Sequence, residues 1–250
     1  MHSISSQNRG DPVLSAMVRR LERRVPLARE DREALLALPH HIRTVGPGAH
    51  LVRDGDAAEQ CALLLSGFAY RYKITGDGGR QILSIHMPSE FVDLQNGLLE
   101  RSDHSVQTLT ECEIATIPAA ALRDLAARRP AVAQALWIDT LIDSSIFREW
   151  IVNVGRRDSR ARVAHLLCEF GVRLEASGNG DVGRYELPMT QEQLADAVGL
   201  TSVHVNRVLR QLAEEGLIAR DRRSITINDW DRLRATGDFN ERYLHHDAVA

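Results

Sequence analysis

Apolar residues recur at helical spacing near the start of the chain: Leu14, Met17, Val18 and Leu21, then Leu35, Leu36 and Leu38, with arginine and glutamate between them. This predicts two short amphipathic helices broken near Pro26. The polar stretch 1–12 ahead of them reads as a flexible tail. From His41 to Ile117 the apolar runs shorten to Leu63-Leu64-Leu65, Ile82-Leu83-Ser84-Ile85 and Ile114-Ala115-Thr116-Ile117. Turn clusters at Gly46-Pro47-Gly48, Asp54-Gly55-Asp56, Ser66-Gly67 and Gly76-Asp77-Gly78-Gly79 separate them. Short strands with such turns predict an antiparallel sandwich or barrel. Phe68 to Lys73 alternates as a strand with one wet face does.

After Pro118 the period returns to that of a helix. Ala119–Arg129 is a short helix, and Pro130 suits the first position of the next. Residues 131–154 hold neither glycine nor proline, enough for about 36 Å of helix at the usual rise. The apolar residues of this helix are not confined to one stripe, so it needs cover on two sides. One side packs on the preceding sheet; Ala135, Ile138, Ile142 and Val152 are expected to meet a second copy of the helix. Gly155 to Asp158 interrupts the pattern, and Asp158 caps a further helix from Ser159 carrying Val163, Leu166, Leu167 and Phe170. Residues 176–183 form a flexible loop.

The strongest signal lies between Leu187 and Asn228. Thr190 and Gln193 make a capping box, and Leu194, Ala195 and Val198 give the helix that follows an apolar face. Gly199 supplies a tight turn, and Thr201 caps a second helix with Val205, Val208, Leu209 and Leu212 on its inner face. Gly216 ends that helix, and Ala219–Ile227 is a short hairpin with Arg220, Arg222 and Arg223 at its tip. Two capped helices, a glycine turn and a basic hairpin describe a winged helix-turn-helix. Its outer face carries Ser202, Val203, Asn206 and Arg207, the candidates for reading base edges. Thr190, Thr201, His204, Arg210, Arg220, Arg222 and Arg223 are the candidates for phosphate oxygens.

Composition narrows the choice without making it. The chain has 250 residues, 44% hydrophobic and 26% charged, with a net charge of −3. That is a globular chain whose overall charge points to no polyanion, so any nucleic-acid binding rests on local arrangement. The 12 N-terminal residues lack the apolar core of a secretory signal, and no run is long enough for a membrane span. Three scattered cysteines, Cys61, Cys112 and Cys168, suit a reducing cytosol.

The order of β-rich domain, long helix and winged helix-turn-helix resembles the Crp/Fnr family of bacterial transcription regulators. The likeness also lies in the glycine turns around Gly55 and Gly67, in Leu194-Ala195-Asp196-Ala197-Val198-Gly199-Leu200 and in Val205-Asn206-Arg207-Val208-Leu209. It covers roughly residues 20–235. The resemblance implies an α+β fold with an N-terminal double-stranded β-helix, or jelly-roll, sensor domain (13–129), a dimerisation helix (130–154), a winged helix-turn-helix (155–235) and a tail (236–250). It also implies a cytoplasmic homodimer on a two-fold-symmetric site in double-stranded DNA, contact with RNA polymerase, and no enzymatic activity.

Members of that family that bind cyclic AMP use a glutamate for the ribose and an arginine for the phosphate. Here Leu94 and His104 fall at those positions, which argues against cyclic AMP. The candidate effector pocket is Asp93, Gln95, Asn96, Arg101, His104 and Ser105, with Arg101 and Asp93 near enough in sequence to compensate. An iron–sulfur cluster of the family's oxygen-sensing kind needs four thiolates, and only three cysteines are present. The family's recognition helix carries a glutamate where this chain has Val203, so the half-site is expected to differ at that base pair, with a thymine methyl against the valine.

The remaining chemistry-bearing residues point to no cofactor or metal. His40-His41 and His245-His246 lack metal-ligand spacing, while His86 and His104 leave a heme-ligand or pH-sensing role as an alternative. Cys168 sits among apolar residues as an inert thiol, and Asp93, Glu100 and Asp103 read as solvated loop acids. Trp137, Phe147 and Trp150 read as core or dimer packing. Two other classes stay open: a cupin-like metal enzyme on a similar sandwich, and a winged helix that binds protein.

Overall fold

The computed structural model describes residues 13–246, so the expected 1–12 tail lies outside the described residues. The first helical pattern becomes α1 (Ser15–Glu22) and α2 (Arg29–Leu36). Leu14, Met17, Leu21 and Leu35 are buried there against Leu122, Leu125, Val132 and Ala135.

The short apolar runs then pair into two antiparallel sheets. One holds β1 (His41–Val45), β3 (Gln60–Ser66) and β7 (Cys112–Pro118) in the order β1-β7-β3. The other holds β2 (His50–Val52), β4 (Ala69–Ile74), β5 (Arg80–His86) and β6 (Ser105–Thr108) in the order β2-β6-β4-β5. Their facing side chains, among them Val52, Leu64, Ala69, Val106 and Ile114, form the sandwich core. The turn between β3 and β4 requires glycine. Gly67 has φ +81°, and a Cβ there would stand 2.3 Å from the Glu111 carbonyl oxygen.

After α3 (Ala119–Arg128) comes α4 (Pro130–Arg156), opened by Pro130 and running straight through Gly155. It is covered on one side only. Ala135, Leu136, Ile142, Ile146 and Trp150 are buried within the chain, while Trp137, Leu141, Ile151 and Val152 are exposed, Trp137 by 69% and Ile151 by 68%. The stripe expected to meet a partner is therefore corrected. Ala135 and Ile142 face the chain's own core, Ile138 is half-buried against it, and only Val152 lies outside. Apolar spacing marks two faces on such a helix; packing against the sheet and the later helices selects which one is used internally.

Beyond α4 the chain forms α5 (Ser159–Ala176), β8 (Arg184–Glu186), α6 (Gln191–Val198), α7 (Ser202–Glu214), β9 (Ile218–Asp221), β10 (Ser224–Ile227) and α8 (Trp230–Thr236). The Asp158 Oδ1 accepts the Ala161 N–H at 2.8 Å, the cap expected for α5. β8 adds a strand directly after the 176–183 loop, giving the sheet order β8-β10-β9. The stretch 236–250, expected to be a tail, is instead packed as far as it is described. Phe239 and Leu244 are buried, and the His165 ring meets Phe239 edge-on at 5.2 Å and stacks on Tyr243 at 5.9 Å. Its aromatic residues fill a gap beside α5 that only the assembled helices create. Among the described residues no helix is long and apolar enough to cross a membrane.

A buried ionic network joins the two halves. Arg173 on α5 donates to both oxygens of Glu90 at 3.2 and 3.0 Å and to Glu169 at 3.1 Å. Arg20 on α1 donates to Glu90 at 3.2 Å and to Asp139 at 3.0 Å. The Trp150 indole and the Tyr243 hydroxyl donate to Glu169, the latter at 2.8 Å. Burial opposes the charge on Glu90, yet Arg173 and then Arg20 hold its carboxyl down to about 2. A carboxyl depressed by folding contributes stability above its usual value of 4.5 and loses it as pH falls through the folded value. Glu90→Gln should cost about 3–5 kcal/mol at pH 7, because it leaves buried cations uncompensated. Urea unfolding across pH should show this deficit flat above pH 4.5 and shrinking as pH falls toward 2.

Candidate DNA-reading face and effector cavity

Each signal in the helix-turn-helix segment takes the local form its residues dictate. Thr190 Oγ1 accepts the Gln193 N–H at 3.2 Å while Gln193 Oε1 accepts the Thr190 N–H at 2.9 Å, closing the capping box. Gly199 ends α6 at φ +65°, a conformation that costs any residue with a Cβ. Thr201 Oγ1 then accepts the His204 N–H at 3.2 Å and starts α7. Val205, Val208, Leu209 and Leu212 are buried in the core beneath α7.

The reverse face of α7 is open. Ser202, Val203, Arg207 and Arg210 are exposed, Val203 by 80%, while Asn206 and His204 are half-buried. No acid interrupts this face from Thr201 to Arg210. The β9–β10 turn exposes Arg220, Arg222 and Arg223. These three arginines and Thr190 line one cleft of about 250 Å³ beside the start of α6. A bare helix face flanked by fixed cations is the arrangement that enters a major groove while gripping its phosphates.

A larger cavity of about 490 Å³ lies between the sheet domain and α4. Arg71 and Lys73 of β4, Ile82 of β5, Gln95 and His104 form one wall; Thr140, Asp143, Ser144, Phe147 and Trp150 of α4 form the other. Arg71 is buried and stands 5.1 Å over the Phe147 ring, with one Nη donating to the Val92 carbonyl and its Nε without a hydrogen-bond partner. His104 uses both ring nitrogens, Nδ1 toward Asp103 at 2.8 Å and Nε2 toward the Gln95 amide at 3.1 Å. Burial and then Arg71 lower its pKa, against the pull of Asp103. Asp143 is pushed up to about 6 by burial, opposed mainly by Arg71.

Only two of the six residues expected in this pocket line it. Gln95 and His104 do, whereas Asp93 is buried elsewhere, accepting the Ala62 N–H at 2.7 Å and the Asn96 amide at 3.1 Å. Asp93 is thus no solvated loop acid; burial raises it to about 7. Asn96 is buried with it. Arg101 is exposed and donates to the Gly55 carbonyl, and the Ser105 hydroxyl accepts the Asp54 N–H. Arg71 and Asp143, two of the charged groups that line the cavity, are marked by nothing in their local sequence. Strand alternation at Tyr70-Arg71-Tyr72 was the one available hint, since it turns Arg71 opposite to its neighbours.

Comparison with known proteins agrees on both halves. A Crp-like helix-turn-helix domain model matches residues 161–236, and a cyclic nucleotide-binding domain model matches residues 42–129. The transcriptional activatory protein AadR of Rhodopseudomonas palustris is 30% identical over 189 residues, covering 75% of this chain and 77% of AadR. The chain belongs to the Crp/Fnr family. It is a DNA-binding transcription regulator. The activator FnrL of Cereibacter sphaeroides is 28% identical over 220 residues, covering 85% of this chain and 88% of FnrL. The solved structure of FixK2 from Bradyrhizobium japonicum shares the fold with a TM-score of 0.74 at 24% identity, covering 80% of this chain and 98% of that one.

The residues of this Crp/Fnr regulator do not fit a cyclic nucleotide. Leu94, at the ribose position, packs half-buried beside the apolar cluster under α3, and His104, at the phosphate position, is already engaged by Asp103 and Gln95, with burial and Arg71 disfavouring its charged form. Asp93 and Arg101, the two groups that could compensate, lie outside the cavity. Among the described residues no group of three or more His, Cys, Asp or Glu is placed to hold a metal ion. The Cys61 and Cys168 thiols are buried and pushed up to about 12.

Two outcomes follow for the reading face. Arg222→Ala should weaken binding about equally on all sequences and lower the slope of log affinity against log salt by about 1, measured by titrating labelled DNA at several salt concentrations. Selection from random DNA should return a half-site with thymine facing Val203, and Val203→Glu should shift that position toward cytosine, whose amino group a carboxylate accepts.

Proposed function

We propose that this regulator works in the cytoplasm as a homodimer on a two-fold-symmetric promoter site, where it contacts RNA polymerase and catalyses no reaction. The observation that carries the dimer is the exposed stripe Trp137, Leu141, Ile151 and Val152 on α4. Large apolar residues at helical spacing along a 27-residue helix are costly in water, and an identical helix lying parallel covers them symmetrically. Pairing two chains along α4 sets the separation of the two α7 helices, which must be about 34 Å to enter successive major grooves.

Base reading falls to Ser202, Val203, Asn206 and Arg207 in this proposal, and phosphate contact to Thr190, Thr201, Arg210 and the three wing arginines. The exposure of all of these but the half-buried Asn206, and the shared cleft of Thr190 with the three wing arginines, support it. Gating by a small effector would act through the cavity between sheet and α4. The strand that lines it also holds the DNA-binding domain: Arg80 of β5 donates to Asp196 of α6 at 2.7 Å, and the Gln81 amide donates to the Asp196 carbonyl at 2.7 Å. A ligand that displaces β5 or α4 would move α6 directly, or through the α4–α5 connection at residues 157–158, where Arg157 is tied to Glu149 at 2.6 Å.

Trp137→Asp combined with Leu141→Asp should give a folded monomer in sedimentation. Its affinity for a palindromic operator should fall roughly 100-fold, while single half-site binding stays unchanged. A variant that remains dimeric would refute α4 pairing.

A further inference from the structure

The arginine at the centre of the reading face is held from within the protein. Arg207 Nη2 lies 2.9 Å from His204 Nε2, and the same ring nitrogen lies 3.0 Å from Ser159 Oγ. An arginine only donates, so His204 Nε2 is the acceptor and its proton sits on Nδ1. The Ser159 hydroxyl shares that lone pair as a second donor. His204 is itself fixed at its backbone, where its N–H meets the Thr201 cap. Ser159 is the first residue of α5, three positions beyond the end of α4. One half-buried imidazole thus joins the start of α5 to the reading helix.

We propose that His204 is a positioning residue that orients the Arg207 guanidinium for base readout and registers it to the start of α5, instead of the phosphate ligand its place on α7 suggests. The proposal rests on Arg207 being a base reader. A long exposed arginine loses considerable rotamer freedom when it docks, and a side chain already held has less to lose. The guanidinium carries five N–H donors. One spent on His204 leaves four, enough for the paired contact to guanine O6 and N7. The base pair under Arg207 is then discriminated by a fork whose orientation the protein sets before DNA arrives.

The test uses the full chain on its selected operator and on every single-base variant of it, at two salt concentrations. Wild type is compared with Arg207→Ala, His204→Ala, His204→Gln and the His204→Ala/Arg207→Ala double variant. His204→Ala should lower discrimination roughly fivefold at the one base pair where Arg207→Ala abolishes it, as loss of one hydrogen bond would. It should leave the salt slope unchanged and add nothing in the Arg207→Ala background. His204→Gln, whose side-chain carbonyl accepts at a similar reach, should restore most of the discrimination. An equal loss at all positions with a shallower salt slope would make His204 a phosphate ligand and overturn the proposal, as would additive single effects. If wild type binds selectively but Arg207→Ala changes no base preference, the base-reading role of Arg207 fails, and the positioning role falls with it.

Discussion

Glu90 sits out of water on the turn after β5, and its charge persists there because Arg173 reaches it from α5 and Arg20 from α1. Each cation carries a second carboxylate, Glu169 for Arg173 and Asp139 for Arg20. The sheet domain, the N-terminal helix, the long helix and the first helix of the DNA-binding domain are therefore tied at one point. Desolvated charges tolerate little displacement, since separating any pair strands the other inside. The azimuth of α4 follows from it. With Asp139 held by Arg20 and the Trp150 indole held by Glu169, the opposite stripe of Trp137, Leu141 and Ile151 has to point outward.

That constraint separates two kinds of contact between the domains. The Glu90 network is buried and fixes their relative placement. The Arg80–Asp196 pair is part-exposed, with side chains 28% and 21% accessible, and exchanges partners with water at modest cost. β5 stands between them, lining the cavity with Ile82 and holding α6 with Arg80 and Gln81. The buried network thus lies along α4, and the part-exposed pair lies at the β5 edge. Charge along the cavity wall is balanced, Arg71 and Lys73 against Asp103 and Asp143, rather than set for an anion alone.

The DNA-reading segment was legible because its signals are local. Thr190 with Gln193, Gly199, Thr201 and Gly216 act within a turn or two of their own positions, and each takes the form its residue type demands. The sandwich was legible for the same reason, through strand alternation and glycine turns such as Gly67. The cavity was not. Proximity in sequence grouped Asp93, Asn96, Arg101 and Ser105 with Gln95 and His104, but the chain between them folds so that Asp93 caps the Ala62 amide and Arg101 points to the surface.

By itself, then, the amino-acid sequence determined the order of domains, the helix caps, the turns and the polar face of α7, all set by interactions spanning a few residues. Tertiary structure alone decided which face of α4 is left bare, that residues 239–244 pack beside α5, and that Arg71 and Asp143 meet at 4.0 Å in the cavity wall. Those outcomes depend on burial and charge pairing between separate elements, as between Arg20 and Asp139, 119 residues apart, and no local pattern encodes which distant surface a residue meets.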